Sequence, residues 1–75
     1  PISSVKLWLN GDVSDNETNI THDTDGHISA FNSGPWQVNL ERYRPVKNKT
    51  RPAKIKLEKT DLRLTLIIKQ HHIFN

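Results

Sequence analysis

Hydrophobic and polar positions alternate most regularly in the C-terminal third of the chain. Residues 53–59 and 62–69 each have a two-residue period, which is typical of β-strands with one buried face. If the chain turns at Thr60 and Asp61, every cross-strand pair matches in character, so the pattern predicts an antiparallel hairpin over residues 53–69. The expected pairs are Leu57 with Leu64, Ile55 with Leu66, Ala53 with Ile68, and Glu58 with Arg63.

Weaker alternation marks two earlier segments as strands. In "SSVKLWLNGD", Val5, Leu7 and Leu9 alternate with Lys6, Trp8 and Asn10, which predicts a strand with one wet face and with Trp8 on that outer face. The Asn-Gly pair that follows is typical of a turn that ends a strand. The segment "HISAFN" predicts a second short strand, which "NSGP" closes with another turn.

The segment "PWQVNLERYRP" fits two elements. Trp36, Val38 and Leu40 alternate as in a strand, and we favour that interpretation because the segment is short. The alternative is a short helix over residues 35–43, since Trp36, Leu40 and Tyr43 also share one side at helical spacing. In either case Pro45 is expected to end the element, because proline lacks an amide hydrogen.

A long polar stretch separates the first two apolar segments. Residues 11–27 contain Val13 and Ile20 as their only large apolar side chains, which predicts an acidic, mobile loop or irregular arm. Taken together, the segments predict a mostly β fold. We expect a single domain over residues 1–75, built as one small antiparallel sheet that is barrel-like or sandwich-like.

Composition excludes several classes of protein. The 75 residues include no cysteine, so a disulfide framework and a thiolate zinc site are both excluded. We see no signal peptide and no apolar run long enough to span a bilayer, which predicts a soluble protein without a membrane partner. The composition does not identify its cellular compartment. Neither a nucleophile motif nor a glycine-rich phosphate loop occurs, so we expect no enzyme, no cofactor and no small-molecule substrate.

The polar stretch also contains the residues that come nearest to a metal site. Asp23, Asp25 and Gly26 match inner positions of a calcium loop, but the residues at its ends do not match. An Asp-Gly turn explains these residues more simply. The four histidines, among them the adjacent His71 and His72, do not converge in a pattern that would hold zinc, so we expect no metal.

Charge is distributed unevenly along the chain. Residues 1–40 hold one lysine against five carboxylates, a net charge of −4, whereas residues 41–75 hold ten basic and three acidic side chains, a net charge of +7. The stretch "YRPVKNKTRPAKIKLEK" concentrates this positive charge. We therefore expect a site for nucleic acid or another polyanion, with phosphates held by cations and bases stacked on aromatic rings. Its expected residues are Arg42, Tyr43, Arg44, Lys47, Lys49, Arg51, Lys54, Lys56 and Trp8.

Two other interpretations fit the same charges. The acidic arm of one copy and the basic face of another are complementary, which predicts a protein-interaction or assembly module, of viral or phage type, that binds a partner or itself. A basic face without any ligand is the simplest alternative, because lysines on outer strands are a common protection against edge-to-edge aggregation.

Overall fold

The computed structural model of the chain describes residues 2–69, with the backbone alone for residues 2 and 3. The strands form one antiparallel sheet in the order β1-β2-β3-β4-β5, so each strand pairs with its neighbour in sequence. The predicted fold class, mostly β with a single antiparallel sheet, is confirmed. The elements are α1 (Ile2–Leu9), β1 (Thr18–His22), β2 (Ile28–Ser33), β3 (Trp36–Val46), β4 (Lys49–Lys59) and β5 (Leu62–Ile67).

The β4–β5 hairpin has the register that the sequence predicts. Leu57 pairs with Leu64, Ile55 with Leu66 and Glu58 with Arg63. The Ile68 amide also donates to the Ala53 carbonyl at 2.8 Å, which extends the same register by one step. Asp61 makes the two-residue turn possible by adopting a φ of 65°, a conformation that Asp tolerates better than most residues.

The N-terminal segment is a helix, so the strand predicted there is wrong. The helix α1 ends in a Schellman motif, in which the Asp12 amide donates to the Leu7 carbonyl at 2.8 Å and the Gly11 amide donates to the Trp8 carbonyl at 2.9 Å. Gly11 adopts the required left-handed conformation, with a φ of 75°. The Asn-Gly pair therefore caps a helix instead of ending a strand.

The polar stretch at residues 11–27 is only partly irregular. It contains β1, whose five residues are all exposed and which pairs with β2 through two irregularities in register. Residues 18–22 are therefore a strand, within the stretch where the sequence predicted a mobile loop or irregular arm. This difference has a physical cause, because a strand that buries neither face shows no hydrophobic alternation.

The strand interpretation of "PWQVNLERYRP" is confirmed, and the alternative helix over 35–43 is wrong. Pro45 does not end β3 but lies inside it, opposite Thr50. Pairing between β3 and β2 stops at Asn39, so the far part of β3 has β4 as its single strand neighbour among residues 2–69. Because that edge is open, a residue without an amide hydrogen is tolerated there.

The core lies between α1 and one face of the sheet. Trp8 packs against Phe31 with ring centroids 5.5 Å apart and a tilted geometry that aromatic pairs favour. Val38, Leu40 and Ile55 complete the buried cluster from the two central strands. This core is small because an eight-residue helix covers only part of a five-stranded sheet.

Candidate apolar ligand site

The two faces of the sheet differ in character. Register places Val38 opposite Leu57 and Leu40 opposite Ile55, which puts these apolar side chains on the face that α1 covers. The other face carries Glu41, with the ammonium groups of Lys54 and Lys56 at 4.0 and 3.6 Å from its carboxylate. The helix side of the sheet is therefore the more apolar of the two faces.

The apolar face continues onto β5, which α1 does not cover. Leu64 lies beside Leu57 and Leu66 lies beside Ile55, in line with the buried cluster. Even so, Leu62, Leu64 and Leu66 are 41%, 47% and 41% exposed. A row of leucines that projects from a core into solvent is typical of a surface that binds an apolar partner.

A cavity of about 500 Å³ opens where this row meets the helix. Its volume falls within the usual range of small-molecule sites, and both tryptophans of the chain contribute to its wall. Gly34 lies in the β2–β3 turn with a φ of 57°. The lining residues are Val5, Trp8, Ser33, Gly34, Pro35, Trp36, Leu57 and Leu64.

A buried carboxylate holds two of the lining residues in place. Glu17 is 7% exposed and accepts hydrogen bonds from the indole Nε1 of Trp8 at 3.2 Å and from Ser33 Oγ at 3.5 Å. Ser14 Oγ donates to its other oxygen. Glu17 therefore fixes the wall of the cavity from behind. It lies in the polar stretch between α1 and β1, where the sequence offered no sign that a carboxylate would be buried.

Lys59 places a cation beside one wall of the cavity. The Lys59 ammonium is 4.8 Å from the centroid of the Trp36 ring, within the range of a cation–π contact. Since Trp36 lines the cavity, this contact orients one wall and places a positive charge beside an otherwise apolar opening. The arrangement suits a ligand with a long apolar part.

The aromatic residues expected to stack on bases do not form such a platform. Trp8 was predicted to face outward, but it is 4% exposed and belongs to the core. The Tyr43 hydroxyl donates to the Ile28 carbonyl at 2.7 Å, and its ring stacks on His27 with centroids 4.4 Å apart. Burial of the phenol, together with the charges of Asp23 and Asp12, raises the pKa of Tyr43 to about 12.

The predicted cations separate into two groups. Lys54 and Lys56 lie on the polar face with Glu41, as described above. The second group lies at the far end of the β3–β4 hairpin, and Arg42 lies at its base with a φ of 57°. The far-end group consists of Arg44, Lys47, Lys49 and Arg51.

The Asp-Gly turn is confirmed at residues 23–27. The Asp23 carboxylate accepts hydrogen bonds from the backbone amides of Asp25 and His27, both at 2.9 Å, and Gly26 has a φ of 87°. Desolvation raises the pKa of Asp23, but these amides and His27 outweigh it and bring that pKa below its ordinary value of 3.8. One oxygen or nitrogen atom from each of Asp23, Asp25 and His27 lies within 4.8 Å of the other two, which the turn itself explains. The expectation about His71 and His72 concerns positions outside the described residues.

Within residues 2–69, no helix is long and apolar enough to cross a bilayer. A family model described as outer membrane lipoprotein LolB matches residues 1–70. The outer-membrane lipoproteins LolB of Ectopseudomonas mendocina and Pseudomonas fluorescens are 33% and 32% identical over 70 and 71 residues. A Shewanella relative of the same name is 31% identical over 74 residues. No solved structure gives a significant match.

These matches cover 92–93% of the chain but 34–35% of each relative, so the chain spans about a third of their length. They overturn the predictions of a nucleic-acid-binding module and of a viral or phage protein. The prediction of a soluble protein with no signal peptide and no membrane partner is also wrong, because the matched proteins are outer-membrane lipoproteins. By its sequence, the chain belongs to the LolB family of outer membrane lipoproteins.

Proposed function

We propose that this chain contributes to lipoprotein localisation at the outer membrane by holding acyl chains on its open apolar face. The observation that carries the proposal is the cavity of about 500 Å³ that Trp8, Trp36, Leu57 and Leu64 line. The family description supports it, because the matched proteins are lipoproteins of the outer membrane.

The geometry suits reversible binding of a flexible apolar ligand. Each methylene of an acyl chain that leaves water contributes about 0.8 kcal/mol. The exposed leucines of β5 extend the cavity wall along the sheet, so a chain longer than the cavity also finds apolar contact. This role requires no catalysis, and we propose that the chain acts by binding alone.

Titration of the chain with a homologous series of fatty acids tests the proposal. Both tryptophans line the cavity, so their fluorescence reports its occupancy. We expect the dissociation constant to fall about fourfold for each added methylene, until the ligand exceeds the apolar surface. A dissociation constant that does not change with chain length contradicts the proposal.

Adjacent positions on β5 provide a matched pair of variants. Leu64 lines the cavity, whereas Thr65 pairs with Lys56 on the polar face. L64D should weaken fatty-acid binding by at least about tenfold, because it places a charge where apolar atoms must be desolvated. T65D adds the same charge one residue further along and should bind as the unmodified chain does. Equal affinities of the two variants would reject the cavity as the site.

A further inference from the structure

The far end of the β3–β4 hairpin is a two-stranded ribbon. β2 pairs with β3 as far as Asn39. β5 pairs with β4 as far as Lys54, with one further hydrogen bond from the Ile68 amide to the Ala53 carbonyl, whereas β3 and β4 continue to pair with each other as far as Val46 and Lys49. Residues 43–52, which we call the distal ribbon, therefore extend past their neighbouring strands. At the other end of the same strands, Trp36 and Leu57 line the apolar cavity.

The distal ribbon carries only positive charge. Its sequence, "YRPVKNKTRP", contains four cations and no carboxylate. Lys49 contacts Asp12 at 3.3 Å, but both side chains are about half exposed, so this ion pair neutralises the ribbon only weakly. Lys47 lies in the turn and is exposed. No other ion pair to these four cations occurs within residues 2–69.

Two of these cations oppose each other directly. Arg44 and Arg51 are cross-strand partners, and like charges at such positions repel. Arg44 donates one hydrogen bond to the Ile68 carbonyl at 2.8 Å. The Arg51 Nε is buried and has no hydrogen-bond partner among the described residues. An anion bound between the two groups would attract both and offset this repulsion, and guanidinium groups match phosphate oxygens in geometry.

From this arrangement we infer that the distal ribbon binds the phosphate groups of anionic phospholipids at a membrane surface. Lys47 and Lys49 are exposed at and beside the turn, where a plane of headgroups can approach, and Arg44 and Arg51 lie half-buried on the strands that lead to it. Each cationic side chain near an anionic bilayer strengthens binding by roughly fivefold. The site is independent of the acyl-chain cavity, because the two lie at opposite ends of β3 and β4.

Vesicle co-sedimentation of the full 75-residue chain tests the inference. We expect binding to phosphatidylcholine vesicles that contain about one third phosphatidylglycerol, weak binding to pure phosphatidylcholine, and loss of binding at high salt. Glycerol phosphate at the same phosphate concentration should not compete, since it presents isolated charges. Equal binding to both vesicle types, or full competition by glycerol phosphate, would overturn the assignment to a lipid surface.

Two double variants locate the site on the ribbon. R44Q/R51Q removes the opposed guanidinium groups, and K47Q/K49Q removes two cations at and beside the exposed turn; each should weaken binding by roughly 30-fold. K6Q/R63Q removes two exposed cations elsewhere and should stay within about twofold of the unmodified chain. Circular dichroism verifies that each variant is folded, and K47Q/K49Q decides the matter if R44Q/R51Q unfolds.

Three results would refute the ribbon as the site. Equal weakening by K6Q/R63Q would mean that net charge alone governs binding. Unchanged binding of K47Q/K49Q would place the contact elsewhere. Capture of the chain by polyglutamate in the absence of any vesicle binding would assign the ribbon to an acidic protein partner instead.

Discussion

Glu17 shows how one side chain can connect local structure to the cavity. It is buried, yet it lies in a polar segment, and its carboxylate accepts the indole hydrogen of Trp8 and the hydroxyl hydrogen of Ser33. Both partners line the cavity. Removing the carboxylate leaves a buried indole N–H without an acceptor, which is more costly than losing an exposed hydrogen bond.

We expect E17A to lower the free energy of unfolding by about 1–3 kcal/mol, measured by urea denaturation with tryptophan fluorescence. E17Q retains a carbonyl oxygen as acceptor for Trp8 and should recover part of the loss. The matched control is D15A, which removes an exposed carboxylate two residues earlier and should change stability by less than about 0.5 kcal/mol. An E17A variant as stable as D15A would show that Glu17 does not anchor the wall.

Tyr43 gives a second prediction at this scale, because it is the single tyrosine of the chain. Phenolate absorbance therefore reports this residue alone, and its pKa in the folded chain should be about 12 instead of the ordinary 10.0. The raised pKa means that the folded state holds the proton more tightly. This contribution to stability is complete below pH 10 and is lost as the pH rises through 12.

The chain unfolded in urea provides the reference titration. Its tyrosine should titrate near 10, because the burial and the nearby carboxylates are then lost. Y43F removes both the titration and the hydrogen bond to the Ile28 carbonyl, so its stability should fall less between pH 10 and 12 than that of the unmodified chain. Identical titrations of folded and unfolded chains would contradict the raised value.

Among the elements, the helix α1 depends on one glycine at its C-terminus. A Cβ at position 11 would lie 3.1 Å from the Tyr43 ring, and the substituted residue would have to adopt a φ of 75°. We expect G11A to lower the free energy of unfolding by at least about 1–2 kcal/mol, measured by thermal or urea denaturation, from the left-handed backbone alone. Contact with the ring adds to that loss.

Gly34 is the matched control for this substitution. Its φ is 57°, but nothing lies within 4 Å of the position that a Cβ would occupy. G34A should therefore show the backbone cost without the steric one, so G11A should be the less stable of the two. If G34A is equally or more destabilised, the contact between Gly11 and Tyr43 contributes nothing.

The elements also show which patterns the sequence can resolve. The β4–β5 hairpin was predictable in register because fifteen residues alternate and only one turn position matches all pairs. The helix α1 was mistaken for a strand because its eight residues satisfy both periods. Val5, Leu7 and Leu9 alternate, but Val5, Trp8 and Leu9 also recur at helical spacing. Contact with the sheet decides between them, and that contact is absent from a local pattern.

The candidate site was less predictable than the fold. The cross-strand pairing of Leu57 with Leu64 was predictable. The exposure of Leu64 was not, because it depends on how far α1 extends over the sheet. The burial of Glu17 depends on Trp8 and Ser33, which come from two other segments. Charge marks the basic stretch as a candidate site, yet charge alone does not distinguish a nucleic acid from a lipid surface, since both present phosphate.

At the scale of the whole molecule, the structure separates an apolar site from a cationic one. Arg51 and Leu57 lie on the same strand, about 20 Å apart at the rise of an extended chain. Substitutions at that separation usually contribute additively to a measured free energy. The two sites should therefore fail independently when each is changed alone.

We expect a double dissociation between the two binding assays. L64D should weaken fatty-acid binding and leave vesicle sedimentation unchanged, whereas R44Q/R51Q should do the reverse. The variant that combines L64D with R44Q/R51Q should lose both activities. Its free energy of fatty-acid binding should match that of L64D, and its free energy of vesicle binding should match that of R44Q/R51Q, each within about 0.5 kcal/mol. Loss of vesicle binding in L64D would mean that the membrane is held through the leucine row and not through the distal ribbon. Loss of fatty-acid binding in R44Q/R51Q would instead show that the cations hold the carboxylate of the ligand, and that the two ends of the sheet act as one site.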